Sequence, residues 1–590
     1  MQIRGVSMEK NKTGFPSIDK THLKGQSIFK RNPIIPNMSV YNALKLLNLN
    51  CGDSIAVDCG NLRVLYKDLF NDAAILARAM KELGIKKGDI VISSTPNYYQ
   101  AIVVFLAANK IGAVTTFLNS FASDEEIKHY IELYHSPLYI NFNKDFVYNN
   151  EIINNTCVRN TITLTTNDTF DKGFIGKEYV SGYNDCIRYS DIKGVANYYK
   201  NPILHLGSGN DESLILYTSG TTGNPKSVIL SNENILASGI YMKNTSVSSS
   251  TKNQKSLNCV PFTYPYGFAT STLMTLLCGS EAILAADLSP ITIDYYLNKK
   301  PNIVFGSPAL LELIMKNTKS GTNLSSITSF ISGGDFLSPG KIQEAKDFFC
   351  RHNAPFVKIC NGSGNAETVG ASTISFGNSI KEGTVGKVLT GSTPLIIDDE
   401  TMEEKKYGEE GQLCIAGKHV FKGYFGDPKL TEESMFKYKG KTYFKTGTRG
   451  CLDEENYFLL TGRASRFYIT STLNKVYCDR IQNAISSLYF VESCAVVKEP
   501  DDDKLYVPHA FVILKPEYKF FPDAQKKILE LCSNPITLSS GEQFILKEYE
   551  IPENIEIVEE LPRSKSDKID YNALETKILD EKKSKKIVLK

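Results

Sequence analysis

The sequence has almost no net charge, because 67 Lys and Arg residues against 65 Asp and Glu residues leave +2 over 590 residues. This balance removes the broad electrostatic argument for nucleic acid or an anionic membrane as a partner, so any anion site must be local. Paired cysteines are also lacking. The 13 cysteines are scattered singly, without a CxxC pair or a His cluster at metal-ligand spacing. Free thiols in a reducing cytoplasm explain this pattern best.

Long hydrophobic runs are absent as well. The first residues, MQIRGVSMEKNKTGF, lack the apolar core of a secretory signal. The stretch Ala101 to Leu118 is apolar, but Asn109 and Lys110 divide it, which favours a buried helix followed by a strand over a membrane span. A hydrophobic content of 42% with 22% charged residues is typical of a soluble globular protein, and we expect no integral membrane segment.

The length of 590 residues exceeds what one hydrophobic core usually supports, so at least two domains are expected. Helix-period segments such as Leu69 to Leu83 alternate with short apolar strands such as Asp89 to Ile92, which predicts a mainly parallel sheet covered by helices. Short alternating runs from Gly411 to Leu460 indicate a β-rich lobe. The predicted fold class is α/β, with these units: an irregular segment (1–38), a large domain (39–463), a small α+β domain (464–575) and a basic tail (576–590).

The run Tyr217 to Lys226, YTSGTTGNPK, has the composition of a loop that holds polyphosphate. Gly220 and Gly223 let the backbone approach an anion closely. Hydroxyl donors from Ser219, Thr221 and Thr222 could bind phosphate oxygens, and Lys226 supplies a compact cation. The preceding Leu214-Ile215-Leu216 is predicted to be a buried strand. An ordinary surface turn is the alternative, but such turns rarely combine these donors with a strand before and a lysine after.

This loop has neither the GxxxxGK[ST] order of a Walker loop nor the GxGxxG of a dinucleotide fold. It resembles the signature of the acyl-adenylate-forming superfamily, which includes acyl-CoA synthetases, luciferases and peptide-synthetase adenylation domains. The resemblance extends over nearly the whole chain and implies a large N-terminal domain with a small, mobile C-terminal domain. It also implies ATP, Mg²⁺ and coenzyme A as cofactors, and a two-step reaction: a carboxylate attacks the α-phosphate of ATP, then a thiol attacks the acyl-adenylate.

Several residues acquire roles from this resemblance alone. Lys568, in LPRSKSDKIDYNAL, would stabilise the adenylation transition state, with Glu367 and Lys226 as the other catalytic residues. Glu367 and Thr221 would hold magnesium, as a carboxylate suits this hard cation. The acid would lie against Tyr264, Gly267 and Gly333. The nucleotide would contact a longer set: Thr218, Ser219, Gly220, Thr221, Thr222, Gly223, Lys226, Gly333, Gly334, Ser363, Thr448 and Arg463.

The sequence also departs from the family's pattern. Ser363 stands where the adenine-stacking tyrosine is usual, and Ala366 replaces the threonine before the glutamate. Thr448 replaces the aspartate that grips the ribose. Since a charge-assisted hydrogen bond is worth roughly 1.5 to 3 kcal/mol, this last change could weaken nucleotide binding by about one to two decades. Ser465 stands at the hinge, and Leu473 or Thr472 replaces a glycine near the thiol tunnel, which puts the thioester step in question.

Three functional hypotheses follow. The first is an acyl-CoA ligase for a small carboxylic acid, because no aspartate between Val260 and Gly267 could bind an α-amino group. Tyr264 replaces the gating histidine of such ligases and could serve as an aromatic gate. The second is an adenylating enzyme that loads a separate acyl carrier protein. The third is a degenerate, non-catalytic member, which the changes at Ser363, Ala366 and Thr448 motivate.

Overall fold

The computed structural model describes the greater part of the chain in these ranges: 13–19, 33–60, 62–142, 156–164, 186–218, 226–245, 254–286, 288–334, 337, 339–375, 380–381, 383–463, 466–472, 474–501, 503–537, 543–563 and 568–588. Several residues singled out from the sequence lie outside these ranges: Ser219, Gly220, Thr221, Thr222, Gly223, Ser465 and Leu473. Their assigned roles stay predictions.

The first large sheet has eight strands and contains the strand that precedes the phosphate loop. Its pairing is parallel from Glu212–Tyr217 to the far edge and antiparallel on the side of Ser227–Ser231. Such a sheet matches the mainly parallel architecture predicted for this region. The strand order is Gly423–Tyr424, Ser227–Ser231, Glu212–Tyr217, Val114–Phe117, Ile90–Ser93, Leu138–Phe142, Asn160–Leu164 and Cys186–Arg188.

The second large sheet has nine strands and is parallel except at its two edges. Two of its strands, Ile55–Cys59 and Leu62–Leu65, come from the N-terminal region that otherwise builds the first sheet. The two alternating stretches of sequence therefore do not each form their own sheet. The strand order is Lys387–Val388, Thr373–Ile374, Lys358–Ser363, Ser329–Ser332, Ile303–Gly306, Lys255–Asn258, Glu281–Leu284, Ile55–Cys59 and Leu62–Leu65.

One extensive core joins both sheets to helices such as Tyr66–Glu82 and Tyr99–Ile111. A second core holds the helices Ile293–Asn298, Pro308–Asn317 and Pro339–Arg351. The apolar stretch after residue 100 forms helix Tyr99–Ile111 and strand Val114–Phe117, as predicted, and the Phe105 ring lies 4.9 Å from that of Phe268. Over the described ranges, no helix has both the length and the apolarity needed to cross a bilayer. The α-helices are Pro16–Asp19, Val40–Leu47, Tyr66–Glu82, Tyr99–Ile111, Asp124–Tyr134, Ile192–Tyr198, Asn232–Thr245, Met274–Leu277, Ile293–Asn298, Pro308–Asn317, Pro339–Arg351 and Pro428–Ser434, with a π-helix at Tyr266–Leu273.

A five-stranded sheet forms the predicted β-rich lobe, with antiparallel pairing throughout. Its long strand Lys441–Leu452 alternates between buried and less buried positions, as expected for a sheet with one face on a core. The strands are Thr393–Ile397, Gly411–Ala416, Lys441–Leu452, Met435–Tyr438 and Phe458–Arg463, and the last of these leads directly to the C-terminal domain.

The C-terminal domain has its own core of buried apolar side chains on a three-stranded sheet, which confirms the small α+β domain. Its last helix covers Tyr571–Val588, so the boundary expected at residue 575 lies inside a helix and the basic end is not a separate tail. Leu574 and Ile578 anchor this helix to the sheet. The strands are Val491–Asp501, Leu505–Leu514 and Asn554–Ile557, with ribbons Phe467–Ile469/Lys475–Tyr477 and Ile536–Thr537/Gln543–Phe544; the other helices are Cys478–Ser486 and Ala524–Cys532.

Candidate functional site

The base of the phosphate loop is a pair of antiparallel strands. Tyr217 pairs with Ser227, and one step further the Thr218 amide donates to the Lys226 carbonyl at 3.0 Å. The Lys226 amide in turn donates to Thr218 Oγ1 at 3.3 Å. The Thr218 hydroxyl can still donate its own proton, because it only accepts in this bond. Thr218 and Lys226 are thus held side by side at the carboxyl end of a parallel strand, where α/β sheets bind ligands.

Two tyrosine hydroxyls form hydrogen bonds at the base of the loop. The sequence pattern did not indicate these bonds. The Tyr134 hydroxyl lies 2.6 Å from Ser227 Oγ, and the Tyr217 hydroxyl lies 2.9 Å from Thr116 Oγ1. Ser227 occupies the position at which the family usually has glycine. Its hydroxyl therefore ties the residue after Lys226 to helix Asp124–Tyr134.

Glu367 is the best-defined charged group of the site. Its side chain is buried, and the Tyr424 hydroxyl donates to its Oε1 at 2.6 Å. The Phe421 amide donates to its backbone carbonyl at 2.8 Å. Burial raises the pKa of the Glu367 carboxyl, against the opposing effects of the Tyr424 bond and the positive charges of Lys226 and Arg463. The structure therefore shows electrostatic interactions of Glu367 with Lys226 and Arg463, all three of which were selected from the sequence.

The Glu367 carboxylate is the kind of oxygen ligand that a hard divalent cation prefers, and the other ligands of such a cation would come from elsewhere. Nowhere in the described ranges do three His, Cys, Asp or Glu side chains converge on one metal position. A Mg²⁺ ion held by the Glu367 carboxylate would therefore take its other ligands from phosphate oxygens and water, as is usual for this ion. The buried carboxylate fits such a role, whereas the second expected ligand, Thr221, lies outside the described residues.

The segments expected to contact the nucleotide meet beside Glu367. Thr448 and Arg463 are direct cross-strand partners, and the Asn365 side-chain amide donates to the Thr446 carbonyl at 2.9 Å. Thr448 is buried, and its amide donates to Thr446 Oγ1 at 3.1 Å. Ser363 ends the strand Lys358–Ser363. The expected positions are therefore neighbours, but with hydroxyl groups where the family has an aromatic ring and a carboxylate.

The segments expected to contact the acid meet at the π-helix. A Cβ atom on Gly333 would lie 3.1 Å from a ring carbon of Tyr266, so glycine leaves the space that this ring needs. The Tyr266 hydroxyl donates to the Ile331 carbonyl at 2.6 Å and lies 3.2 Å from the Gly306 carbonyl. Tyr266 is not among the residues predicted for the acid site, although it stands between Tyr264 and Gly267, which are.

Two of the selected residues at this place have clear backbone roles. A Cβ atom on Gly267 would lie 2.3 Å from the Pro261 carbonyl oxygen, which no side chain could tolerate. The Gly267 amide also donates to the Tyr264 carbonyl at 3.0 Å. Gly334 has a φ of +90°, a conformation that favours glycine. Gly267 and Gly334 therefore shape the walls of the site, and any contact to a ligand would be through their backbone.

The hinge to the C-terminal domain is held by Asp479, which the sequence did not reveal. Its Oδ2 accepts the Arg463 amide at 2.7 Å, and its Oδ1 pairs with the Arg466 guanidinium. The Arg466 guanidinium also lies 3.4 Å from the centroid of the Tyr571 ring. Lys568 lies beyond this hinge, half-buried and three residues before Tyr571.

Two mainly parallel sheets in a large domain, a buried glutamate close to the lysine that follows the predicted phosphate loop, and a small C-terminal domain together define a two-domain nucleotide-using enzyme. The chain belongs to the AMP-binding enzyme family: residues 48–425 match the AMP-binding enzyme family and residues 480–568 match the AMP-binding enzyme C-terminal domain. The predicted superfamily is confirmed.

Relatives of the chain carry ligase names. A probable 4-coumarate–CoA ligase 1 of Dictyostelium discoideum is 26% identical over 84% of this chain and 89% of its own length. A long-chain-fatty-acid–CoA ligase of Bacillus subtilis is 24% identical over 91% of this chain and 94% of its own length.

Solved structures share the fold over nearly the same length. ATP-bound MatB from Rhodopseudomonas palustris matches with a TM-score of 0.75 at 21% identity, over 92% of this chain and 99% of that one. The anthranilate CoA ligase AuaEII with anthranoyl-AMP matches with a TM-score of 0.76 at 19% identity, over 92% and 98%. The α/β fold class with a small C-terminal domain is thereby confirmed.

Proposed function

We propose that this protein is an AMP-forming acid–CoA ligase. It would convert a carboxylic acid and ATP to an acyl-adenylate and pyrophosphate, and then transfer the acyl group to the thiol of coenzyme A. The observation that carries this proposal is the buried Glu367 carboxylate, which accepts a hydrogen bond from Tyr424 and whose pKa is raised by burial against the opposing effect of the positive charges of Lys226 and Arg463. The ligase names of the relatives support it.

In the first step the acid's carboxylate oxygen bonds to the α-phosphorus while the bond to pyrophosphate breaks. Lys226 offsets negative charge on the phosphates, and Arg463 supplies a second positive charge at the same site. A Mg²⁺ ion held by Glu367 would neutralise further phosphate charge. Lys568 would act on the transition state after the C-terminal domain turns, because the hinge lies between it and Glu367.

The acid would be compact or planar rather than a long extended chain. The Tyr266 ring is fixed against Gly333, because its hydroxyl is anchored on the carbonyls of two neighbouring strands. As a wall of the acid site, this ring would limit the length of the acyl tail. The absence of a carboxylate between Val260 and Gly267 favours an acid without an α-amino group.

Acid-dependent exchange of labelled pyrophosphate into ATP tests the proposal. The panel would include short, aryl, bile-type and long-chain acids, and the best acid would then be offered coenzyme A and a purified acyl carrier protein. We expect exchange with compact or aryl acids and acyl transfer to coenzyme A. Acyl transfer to the carrier protein alone would show that the acceptor is a carrier protein and not coenzyme A, and the proposed adenylation step would still hold. Absence of exchange with every acid would refute the enzymatic proposal.

A second candidate, a ligand-binding member without catalysis, is favoured by the neutral residues Ser363, Ala366 and Thr448 in the nucleotide site. Pyrophosphate exchange into ATP distinguishes the two candidates. A catalytically inactive member could bind an acid or a nucleotide, but it would show no pyrophosphate exchange at any ATP concentration.

A further inference from the structure

Tyr424 contacts both Glu367 and Lys226, the two residues on which the proposed adenylation site depends. It lies on the two-residue strand Gly423–Tyr424, which pairs with the strand that begins directly after Lys226. Tyr424 is the register partner of Val228, and the Phe425 amide donates to the Ser227 carbonyl at 2.9 Å. The backbone therefore places this ring beside Lys226.

The two ends of the Tyr424 side chain have different neighbours. Its hydroxyl donates to Glu367 Oε1 at 2.6 Å, and Lys226 Nζ lies 5.4 Å from its ring centroid, within reach of a cation–π interaction. Tyr424 and Glu367 are only 7% and 6% exposed, so water does not substitute easily for this bond.

Packing alone does not account for a tyrosine here. The ring packs against Phe421 with centroids 4.9 Å apart, and a phenylalanine would fill that space equally well. The hydroxyl adds only polar contacts, to Glu367 and to Ser434. A buried carboxylate needs such a donor to hold one orientation.

We propose that Tyr424 is a positioning residue, which orients the Glu367 carboxylate through its hydroxyl and seats the Lys226 ammonium on its ring. This inference rests on the proposed function, since it specifies how that site is assembled. With Tyr424 in place, the Glu367 carboxylate would hold Mg²⁺ in a fixed orientation, and Lys226 would be held ready to bind the phosphates of ATP.

The test compares ATP binding with and without Mg²⁺ by isothermal titration calorimetry, for the wild type, Tyr424→Phe, Glu367→Gln and the double variant. The measured quantity is the Mg²⁺-dependent gain in affinity, the ratio of the two Kd values. A hydrogen bond to a charged group corresponds to roughly 10-fold to 100-fold in an equilibrium constant, so Tyr424→Phe should lower this gain by about 10-fold or more. Ser434→Ala leaves the Tyr424–Glu367 bond in place and should keep the gain.

The double variant separates positioning from a general effect on folding. If Tyr424 acts through Glu367, the double variant should lose no more than Glu367→Gln alone, whereas independent effects would multiply. Thermal melting of each variant, with Tyr424→Phe close to the wild type, shows whether folding is retained. Should Tyr424→Phe fail to fold, Glu367→Asp withdraws the carboxylate by one methylene and should lower the gain in the same way.

An unchanged gain in Tyr424→Phe or in Glu367→Asp, or multiplicative losses in the double variant, would overturn the positioning role and leave the proposed function intact. Wild-type protein that binds no ATP would overturn both proposals.

Discussion

The substitution Asp479→Asn tests whether one side chain holds the hinge between the two domains. Asp479 accepts the Arg463 amide at 2.7 Å through Oδ2 and pairs with Arg466 through Oδ1, with a residue exposure of only 9%. Asparagine offers one acceptor oxygen and one NH₂ group. Because both neighbours are donors, the NH₂ group must face one of them without a bond.

The expected cost follows from what Arg466 retains. A hydrogen bond to a charged group is worth about 1.5 to 3 kcal/mol, but Arg466 would still stack on Tyr571 and donate to the Val496 carbonyl at 2.6 Å. We therefore expect a loss of about 2 kcal/mol in the free energy of local opening around the hinge.

Hydrogen exchange measured by mass spectrometry reads this loss directly. Peptides that cover the helix Cys478–Ser486 should exchange about 30-fold faster in Asp479→Asn, while large-domain peptides outside the strand Phe458–Arg463, whose last amide bonds to Asp479, should not change. Asp523→Asn is a matched control, because Asp523 is exposed and makes no side-chain cap bond. Exchange within about 3-fold of the wild type, or an equal acceleration in both domains, would refute the hinge role of Asp479.

Four further predictions concern the site and the core. Lys568→Ala should lower pyrophosphate exchange by about 100-fold or more with ATP binding retained, whereas the exposed Lys526→Ala should leave both intact; equal loss of binding would contradict the role of Lys568. Thr448→Asp should tighten ATP binding by about 10-fold in calorimetry, and an unchanged Kd would mean that the ribose is held elsewhere. Tyr266→Ala should raise kcat/KM for longer acids relative to compact acids by about 10-fold or more, and an unchanged preference would contradict the proposal that Tyr266 limits acid length. Burial lowers the pKa of His419 from 6.5 to about 3. The stability that neutral His419 contributes is complete above pH 6.5 and is lost as pH falls towards 3. Between pH 7 and pH 5 the wild type should therefore lose about 2 kcal/mol more than His419→Phe in urea unfolding, and equal losses would contradict this.

Local sequence patterns predicted the elements that depend on local chemistry. The apolar run before the loop is the strand Glu212–Tyr217, and the divided apolar stretch is the helix Tyr99–Ile111 with its following strand. Motif positions also predicted that Lys226, Glu367 and Arg463 belong to one site. In the structure, burial raises the pKa of the Glu367 carboxyl, and the positive charges of Lys226 and Arg463 oppose that rise. The roles of the loop residues between Thr218 and Lys226 stay predictions.

The residues that sequence patterns missed all act through long-range contacts. Tyr424 reaches Glu367 across 57 positions, and Tyr134 reaches Ser227 across 93. Tyr134 has the local sequence of an ordinary core aromatic, and Tyr424, in the family's GY...T segment, was predicted to have only a structural role. The final helix was missed for another reason: its lysine-rich end suggested a tail, but Leu574 and Ile578 anchor it from the preceding turns.

By itself the sequence determined the family, the α/β class, the order of the domains and the loop that carries the hydroxyls and the lysine. These depend on residue type and periodicity along the chain, which a local pattern records. Only the tertiary structure decided which buried donors orient Glu367, which ring lies under Lys226, and which carboxylate holds the hinge. Such contacts arise when strands distant in sequence pair in one register, and the burial that gives each hydrogen bond its strength exists only after that pairing.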